Sequence, residues 1–115
     1  MTSKIQETQI KLQIQQMYTE LLRQIANFPK NLKFSIGCDL RSAFSDLRNS
    51  LNCSLKYSKK ETSLRNSDVH LENFKDVLWA AKELKCISLP QYGKWIEENV
   101  VLGRMIGGWI KSLKS

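Results

Sequence analysis

The residues best suited to chemistry in this 115-residue chain are cations, which are concentrated in its second quarter. Residues 28–65 carry eight basic and three acidic side chains, against a formal net charge of +7 for the whole chain. A localised basic surface favours polyanions, so nucleic acid is the first predicted partner and an acidic protein surface the second. The alternative is a basic face that only keeps the chain solvated. The candidate phosphate contacts are Arg41, Arg48, Lys56, Lys59, Lys60 and Arg65.

Arg41 and Arg48 are the stronger candidates in this set. They are seven residues apart in a stretch of helical periodicity, so they share one face, away from the leucine stripe. The lysines that follow stand at the predicted helix end, where cations also complement the helix dipole. Helix capping alone therefore accounts for those lysines, but it does not account for the two arginines.

The sequence contains no residue set that suits catalysis or metal binding. His70 is the sole histidine and lies beside apolar positions, which predicts a boundary residue, and no Glu-x-x-His pair of the di-iron bundle type occurs. Cys38, Cys53 and Cys86 match neither a disulfide framework nor a metal-ligand spacing, so we expect them to be reduced. There is no glycine-rich phosphate loop. The sequence predicts no enzyme, no cofactor and no small-molecule substrate.

The elements that carry these residues are predicted to be helices. Apolar residues recur at spacings of three and four, and the chain has only two prolines and five glycines. Helices are expected over residues 4–28, 35–57, 60–86 and 89–114, with Ser35 as a cap and a Ser88-x-x-Gln91 capping box. Short connectors then favour an all-α, antiparallel up-down-up-down four-helix bundle in one domain, residues 1–115.

The helical spacing also predicts which residues form the core. In the first connector, Phe28 and Phe34 are expected to close one end of it. The inward stripes of the first three helices are Ile10, Ile14, Met17, Leu21, Ile25 and Phe28; Ile36, Leu40, Phe44, Leu47, Leu51 and Leu55; and Leu64, Leu71, Phe74, Leu78, Ala81 and Leu84.

The last predicted helix has two adjacent apolar stripes, one of which contains Tyr92, Ile96, Asn99, Gly103, Ile106, Ile110 and Leu113. The other stripe recurs every seven residues and contains Trp95, Leu102 and Trp109. Because one bundle core rarely needs both, the pattern predicts a contact with another subunit, and tight packing within the chain is the alternative. Glycines four apart would let another backbone approach closely, and Arg104 would bridge to a helix end or a neighbouring subunit. The residues assigned to packing or an oligomer interface are Trp95, Leu102, Gly103, Arg104, Gly107, Gly108 and Trp109.

No apolar run reaches the roughly 20 residues that a membrane-spanning helix needs. The first residues are polar, which is not the pattern of a secretory signal peptide. We therefore expect a cytoplasmic protein without a membrane partner.

Four short motifs resemble a known family. They are Phe28-Pro29-Lys30, Phe34-Ser35-Ile36-Gly37, Ile87-Ser88 with Gln91-Tyr92, and the ending Gly103-Arg104-Met105-Ile106-Gly107-Gly108-Trp109-Ile110. In this order they resemble the Avd-like four-helix bundle family. That family contains the accessory variability determinants of diversity-generating retroelements and the proteins encoded in intervening sequences of bacterial 23S rRNA genes. The resemblance covers essentially the whole chain, and its most specific part is the Gly-Arg-x-x-Gly-x-Trp-Ile ending.

The resemblance implies a homopentamer that forms a basic barrel and has no catalytic centre. In the retroelement branch it implies binding of the reverse transcriptase and of the template-repeat RNA, with DNA as a further nucleic-acid candidate, in support of mutagenic retrohoming. In the other branch it implies a structural or protein-interaction module of the rRNA intervening-sequence type. Both branches share the ending, so the residues leave this choice open.

Overall fold

The computed structural model describes residues 4–56 and 60–113, which form four long helices and one short helix. No strand occurs within these two ranges, and the chain is an all-α four-helix bundle. None of the described helices is both long and apolar enough to span a bilayer. The helices are α1 Lys4–Ala26, α2 Lys30–Lys33, α3 Ile36–Lys56, α4 Lys60–Glu83 and α5 Leu89–Leu113.

The first connector contains the short helix α2, which the sequence did not predict. Pro29 precedes α2, and its carbonyl accepts hydrogen bonds from the amides of Leu32 and Lys33, both at 2.9 Å. The predicted cap of α3, Ser35, instead donates its hydroxyl to the carbonyl of Asn31 at 3.1 Å. Ser35 therefore closes α2 with its side chain and contributes only backbone to the start of α3.

The two aromatic residues of this connector lie in different environments. Phe28 is 4% exposed, as predicted, but Phe34 is 72% exposed, so the prediction that it closes the core is wrong. Helices α1 and α3 approach closely here, since a Cβ added to Gly37 would lie 3.1 Å from Ile25 Cγ2. Ile36 and Gly37 of α3 are buried at this end of the core, and a Cβ added to Gly37 would also lie 3.8 Å from the Phe28 ring.

Helix α4 ends earlier than the periodicity indicates. Lys85 has a positive φ of 60°, and its amide donates to the carbonyl of Lys82 while the amide of Cys86 donates to that of Ala81. These two bonds form a Schellman motif, which ends a helix. Leu84, predicted to be inward, is consequently half exposed, and Ile87 enters the core after the turn.

The start of α5 is the capping box that the sequence predicts. The Ser88 amide donates to Gln91 Oε1 at 2.7 Å, and the Gln91 amide donates to Ser88 Oγ at 3.1 Å. Two amides of the first turn are thereby satisfied by side chains.

An aromatic row crosses the core and joins all four long helices. The Tyr18 ring stacks on Phe44 with centroids 6.0 Å apart, Phe44 meets Phe74 edge to face at 5.0 Å, and Phe74 meets Trp95 at 5.7 Å. The predicted inward residues of α1, α3 and α4 are buried around this row, apart from Leu84 and the partly buried Leu55. Trp95 Nε1 also donates to Gln24 Oε1 at 2.8 Å, which ties α5 to α1.

The core-facing side of α5 is formed by Trp95, Asn99, Leu102, Ile106 and Trp109. Trp95, Leu102 and Trp109 are at most 2% exposed within one chain. The sequence assigned them to packing or to an oligomer interface, and in the structure they fill the chain's own core. Asn99 and Ile106 of the neighbouring stripe share this burial, whereas four of its other residues are only partly buried: Tyr92, Ile96, Gly103 and Ile110.

Candidate nucleic-acid interface

Arg41 is the most accessible of the predicted phosphate contacts on the side of α3. Its side chain is exposed, and Nη2 lies 3.7 Å from Cys38 Sγ, a weak acceptor one turn earlier. Such a contact leaves most of the five guanidinium donors available. Arg41 can therefore meet an incoming phosphate without first losing a strong ion pair.

Arg48 lies on the same side of α3 but is half buried. Its guanidinium carbon lies 3.9 Å from the ring centroid of Tyr18, which in turn stacks on Phe44. A cation over an aromatic face stabilises by about 0.5–1 kcal/mol at such sites. A guanidinium has five N–H donors, so one that also contacts an aromatic ring still has donors to offer a phosphate. Arg48 thus has a packing role in addition to its predicted binding role.

A further cation, which the sequence reasoning missed, is added by α1. Lys11 Nζ donates to Asn52 Oδ1 at 2.7 Å, one turn beyond Arg48 on α3. Lys11 and Tyr18 are seven residues apart on α1, which places both next to α3. This spacing was visible in the sequence, but its pairing with α3 was not. We call Lys11, Arg41, Arg48 and Asn52 the α1–α3 basic face.

Two other predicted contacts, Lys56 and Arg65, lie nearer one end of the bundle than Arg41 and Arg48 do. Lys56 is exposed in the last turn of α3, about 22 Å along the helix from Arg41 at 1.5 Å per residue. Arg65 Nη2 is 3.0 Å from Glu61 Oε1, an exposed ion pair within α4. Lys59 and the side chain of Lys60 lie outside the described residues. The four predicted cations whose side chains are described, Arg41, Arg48, Lys56 and Arg65, therefore do not form one cluster.

The side of the bundle between α1 and α5 has mixed charge. Its groove is lined by Glu20 and Glu98 as well as Arg23 and Lys94, and Arg23 pairs with Glu20 at 3.3 Å. Partial burial raises the pKa of Glu98, and the charge of Glu20 adds to this rise while Lys94 opposes it. A groove that contains two carboxylates is less suited to phosphate than the α1–α3 basic face.

The histidine and cysteine positions are dispersed. Within the described residues, no group of three or more His, Cys, Asp or Glu side chains is placed to hold a metal ion. Cys38, Cys53 and Cys86 are free thiols, and partial burial raises the pKa of Cys86. His70 is half buried.

The glycine-containing end of α5 lies mostly at the surface. A Cβ added to Gly103 would meet only Leu71 Cδ2, at 3.5 Å, and one added to Gly107 or Gly108 would meet nothing within 4 Å. The predicted close approach of a second helix to this segment therefore does not occur within the described chain. Arg104 is exposed beside these glycines.

Comparison with known proteins identifies the family of this bundle. Residues 8–113 match the family model described as bAvd-like. The chain belongs to the bAvd-like family. The matched range of this bAvd-like chain runs from the first turns of α1 to the last residue of α5, and it contains the α1–α3 basic face and the glycine-containing end. No curated protein and no solved structure matches the chain.

Proposed function

We propose that this bAvd-like protein is a basic accessory protein of a diversity-generating retroelement, which binds the reverse transcriptase and template RNA and so supports mutagenic retrohoming. Membership of the bAvd-like family over residues 8–113 carries this proposal. The protein acts without a catalytic centre of its own, as a cytoplasmic homopentamer of a single domain spanning residues 1–115. The net charge of +7 supports a polyanionic partner.

The RNA backbone lies along the α1–α3 basic face in this proposal. Arg41 supplies an exposed guanidinium, and Arg48 and then Lys11 supply further donors along α3. These groups bind phosphate and carry no base-specific information, so the protein holds RNA of many sequences. Lys56 and Arg65 extend the contact toward one end of the bundle, and the predicted cations Lys59 and Lys60 belong to the proposed contact set as well. DNA of similar backbone charge would bind by the same contacts.

The basic face depends on how the helices are arranged, and we propose the up-down-up-down antiparallel order. Lys11 beside Asn52 and Ile25 beside Gly37 support opposite directions for α1 and α3. Helices α4 and α5 have a similar pair of contacts. Leu71 lies beside Gly103, and Lys82 Nζ is 4.7 Å from the ring centroid of Tyr92.

Template RNA binding can be measured by fluorescence anisotropy over a series of salt concentrations. Changing Arg41 and Arg48 to glutamate removes two phosphate contacts, so the salt slope of log K should become shallower by about 1.4, at about 0.7 per contact for a single strand. The matched control reverses two cations of the α1–α5 groove, Arg23→Glu with Lys94→Glu, and should leave that slope unchanged. Affinity that is flat in salt, or equal for wild type and R41E/R48E, would overturn the RNA-binding proposal.

The retroelement assignment has a test of its own in the gene neighbourhood. An adjacent reverse transcriptase gene with an adenine-variable repeat is the expected observation. A gene lying inside a 23S rRNA intervening sequence would contradict the retroelement assignment.

A second candidate function is a structural or protein-interaction module of the rRNA intervening-sequence type. It is favoured by the packing of Arg48 on Tyr18 and by the pairing of Arg65 with Glu61, since both cations already have roles within the chain. A pull-down of an acidic protein partner that survives nuclease treatment would support this function. Loss of the partner after nuclease treatment would favour direct RNA binding.

A further inference from the structure

Phe34 is an aromatic residue whose position the core does not explain. Its side chain is 72% exposed. Its ring contacts no other aromatic ring and no cation among the described residues. A single exposed apolar side chain is common at protein surfaces, so its surroundings decide whether it has a role.

Phe34 lies at the end of α3 where the α1–α3 basic face begins. It precedes the first residue of α3 by two positions, and Arg41 and Arg48 follow it at intervals of seven residues. Phe34 has helical dihedral angles, with φ −89° and ψ −2°. Arg41 Nη2 lies 3.7 Å from Cys38 Sγ, so this guanidinium contacts the turn of α3 that precedes it. Cys38 follows Phe34 by four residues, or about 6 Å along a helix axis, which places the ring beside the end of the basic face.

The charges that precede Phe34 along the chain are all positive. Lys30 is exposed and Lys33 is half buried, and neither lysine pairs with a carboxylate of the described residues. Residues 21–38 include no Asp or Glu. Asp39 is the first acidic residue after this range, and it lies five positions beyond Phe34, about 140° around a helix. The exposed ring therefore has cations on both sides of it in the sequence and no carboxylate between them.

An aromatic ring flanked by cations suits a single-stranded nucleic acid. An unpaired base stacks on an exposed ring while cations on either side bind the neighbouring phosphates, and the stacking tolerates any sequence because every base has a flat face. In a duplex the bases are already stacked and paired, so their faces are closed to such a ring. The cations alone would bind both forms of RNA, whereas the ring favours the single strand.

We propose that Phe34 stacks on an unpaired base of RNA at the end of the α1–α3 basic face. The backbone on one side of this base continues over Arg41 and Arg48, and Lys30 and Lys33 bind phosphate on the other side. The inference rests on the RNA binding stated in the proposed function. It adds a preference for single-stranded over duplex RNA, which phosphate contacts do not supply.

Fluorescence anisotropy of the full chain with two labelled probes tests this contact. The probes are an oligouridine of about 12 nucleotides and a mixed-sequence RNA duplex of the same length. Phe34→Leu keeps an apolar side chain but removes the aromatic face, so it should weaken oligouridine binding by about 5-fold to 150-fold. The salt slope should stay unchanged because no phosphate contact is lost, and duplex binding should also stay unchanged. Phe34→Trp restores a ring and should bind oligouridine at least as tightly as the wild type.

Trp79→Leu is the matched control, because it removes another exposed ring, on α4, and should change neither affinity. Equal oligouridine affinity of Phe34→Leu and the wild type would overturn this inference alone, since R41E/R48E tests the phosphate contacts separately. Equal weakening of both probes would also overturn it. So would a lower mass of Phe34→Leu without RNA in sedimentation equilibrium, which would assign the ring to a contact between copies. A wild type that binds neither probe would overturn the proposed RNA binding and this inference together.

Discussion

The α1–α3 basic face and the groove between α4 and α5 differ in how their polar side chains are satisfied. The groove is lined by Asp68, Leu71, Glu72, Lys75, Asn99, Val100 and Gly103. On the basic face, Arg48 covers the Tyr18 ring and Lys11 bonds to Asn52, so the cations are held in place by the chain itself. In the groove, the amide of Asn99 is buried without a partner among the described residues. The chain's own contacts therefore orient the cations of the first surface, whereas at the second surface they leave a buried amide unsatisfied.

The two surfaces are nevertheless joined through the aromatic row. Phe44 lies between Tyr18, beneath Arg48, and Phe74, which packs on Trp95. The row gives α1, α3, α4 and α5 a shared core, so we expect them to unfold together. The following predictions test how far the two surfaces can be separated.

The largest effect is expected for Phe44→Ala. The side chain is fully buried, and its removal should lower the free energy of unfolding by about 3–5 kcal/mol through lost burial and a cavity. Urea unfolding followed by circular dichroism and by tryptophan fluorescence measures this loss. Coincident transitions are expected, because the two surfaces share the core, and separate transitions would contradict that. Phe34→Ala removes an equally large ring that is 72% exposed, and it should change stability by no more than about 0.5 kcal/mol.

A smaller effect is expected for Arg48→Lys, which keeps the charge but loses the contact of the guanidinium with the Tyr18 ring. The free energy of unfolding should fall by about 0.5–1 kcal/mol, while the salt slope of RNA binding changes little because the charge is retained. Thermal unfolding and the anisotropy series measure the two quantities. If RNA binding fell as far as in Arg41→Glu, the packing and binding roles of Arg48 would not be separable. Arg41→Lys, at an exposed position, is the matched control for stability.

The smallest effect is a pH dependence from Glu98 on α5. Partial burial raises its pKa above the usual value of 4.5, so the folded chain holds this proton more tightly than the unfolded chain. The contribution of Glu98 to the free energy of unfolding is fully present below pH 4.5, and it is lost as the pH rises through the raised pKa of the folded chain. Glu98→Gln should remove the fall in the free energy of unfolding that Glu98 causes as the pH rises, and urea unfolding at several pH values measures it. Glu97→Gln, at an exposed neighbour, should leave the profile unchanged.

The helices and their inward stripes were predictable because they follow from local spacing. The capping box of Ser88 and Gln91 was also predictable, since both bonds lie within four residues. Leu84 was assigned wrongly because the helix ends in a left-handed residue that is lysine rather than glycine, and nothing in the residue type announces that. Phe34 was assigned wrongly because the close approach of α1 and α3 fills that end of the core.

The candidate surfaces depend more strongly on contacts between distant segments. Residue spacing placed Arg41 and Arg48 on one side of a helix, but it did not reveal that Tyr18 lies under Arg48 or that Lys11 lies beside Asn52. For the last helix, the sequence offered two adjacent apolar stripes. Only packing against the other helices decided that the side with Trp95, Leu102 and Trp109 faces the core.

By itself, the sequence determined the helical class, the basic second quarter and the motifs that resemble the Avd-like family, because these are set by composition and local spacing. The tertiary structure decided which cations are held by neighbours, which glycines remain uncovered, and that Asn99 is buried beside an open groove. These properties depend on which helix lies against which. That choice is made by the burial of apolar surface over the whole bundle, so it cannot be assigned to any one segment.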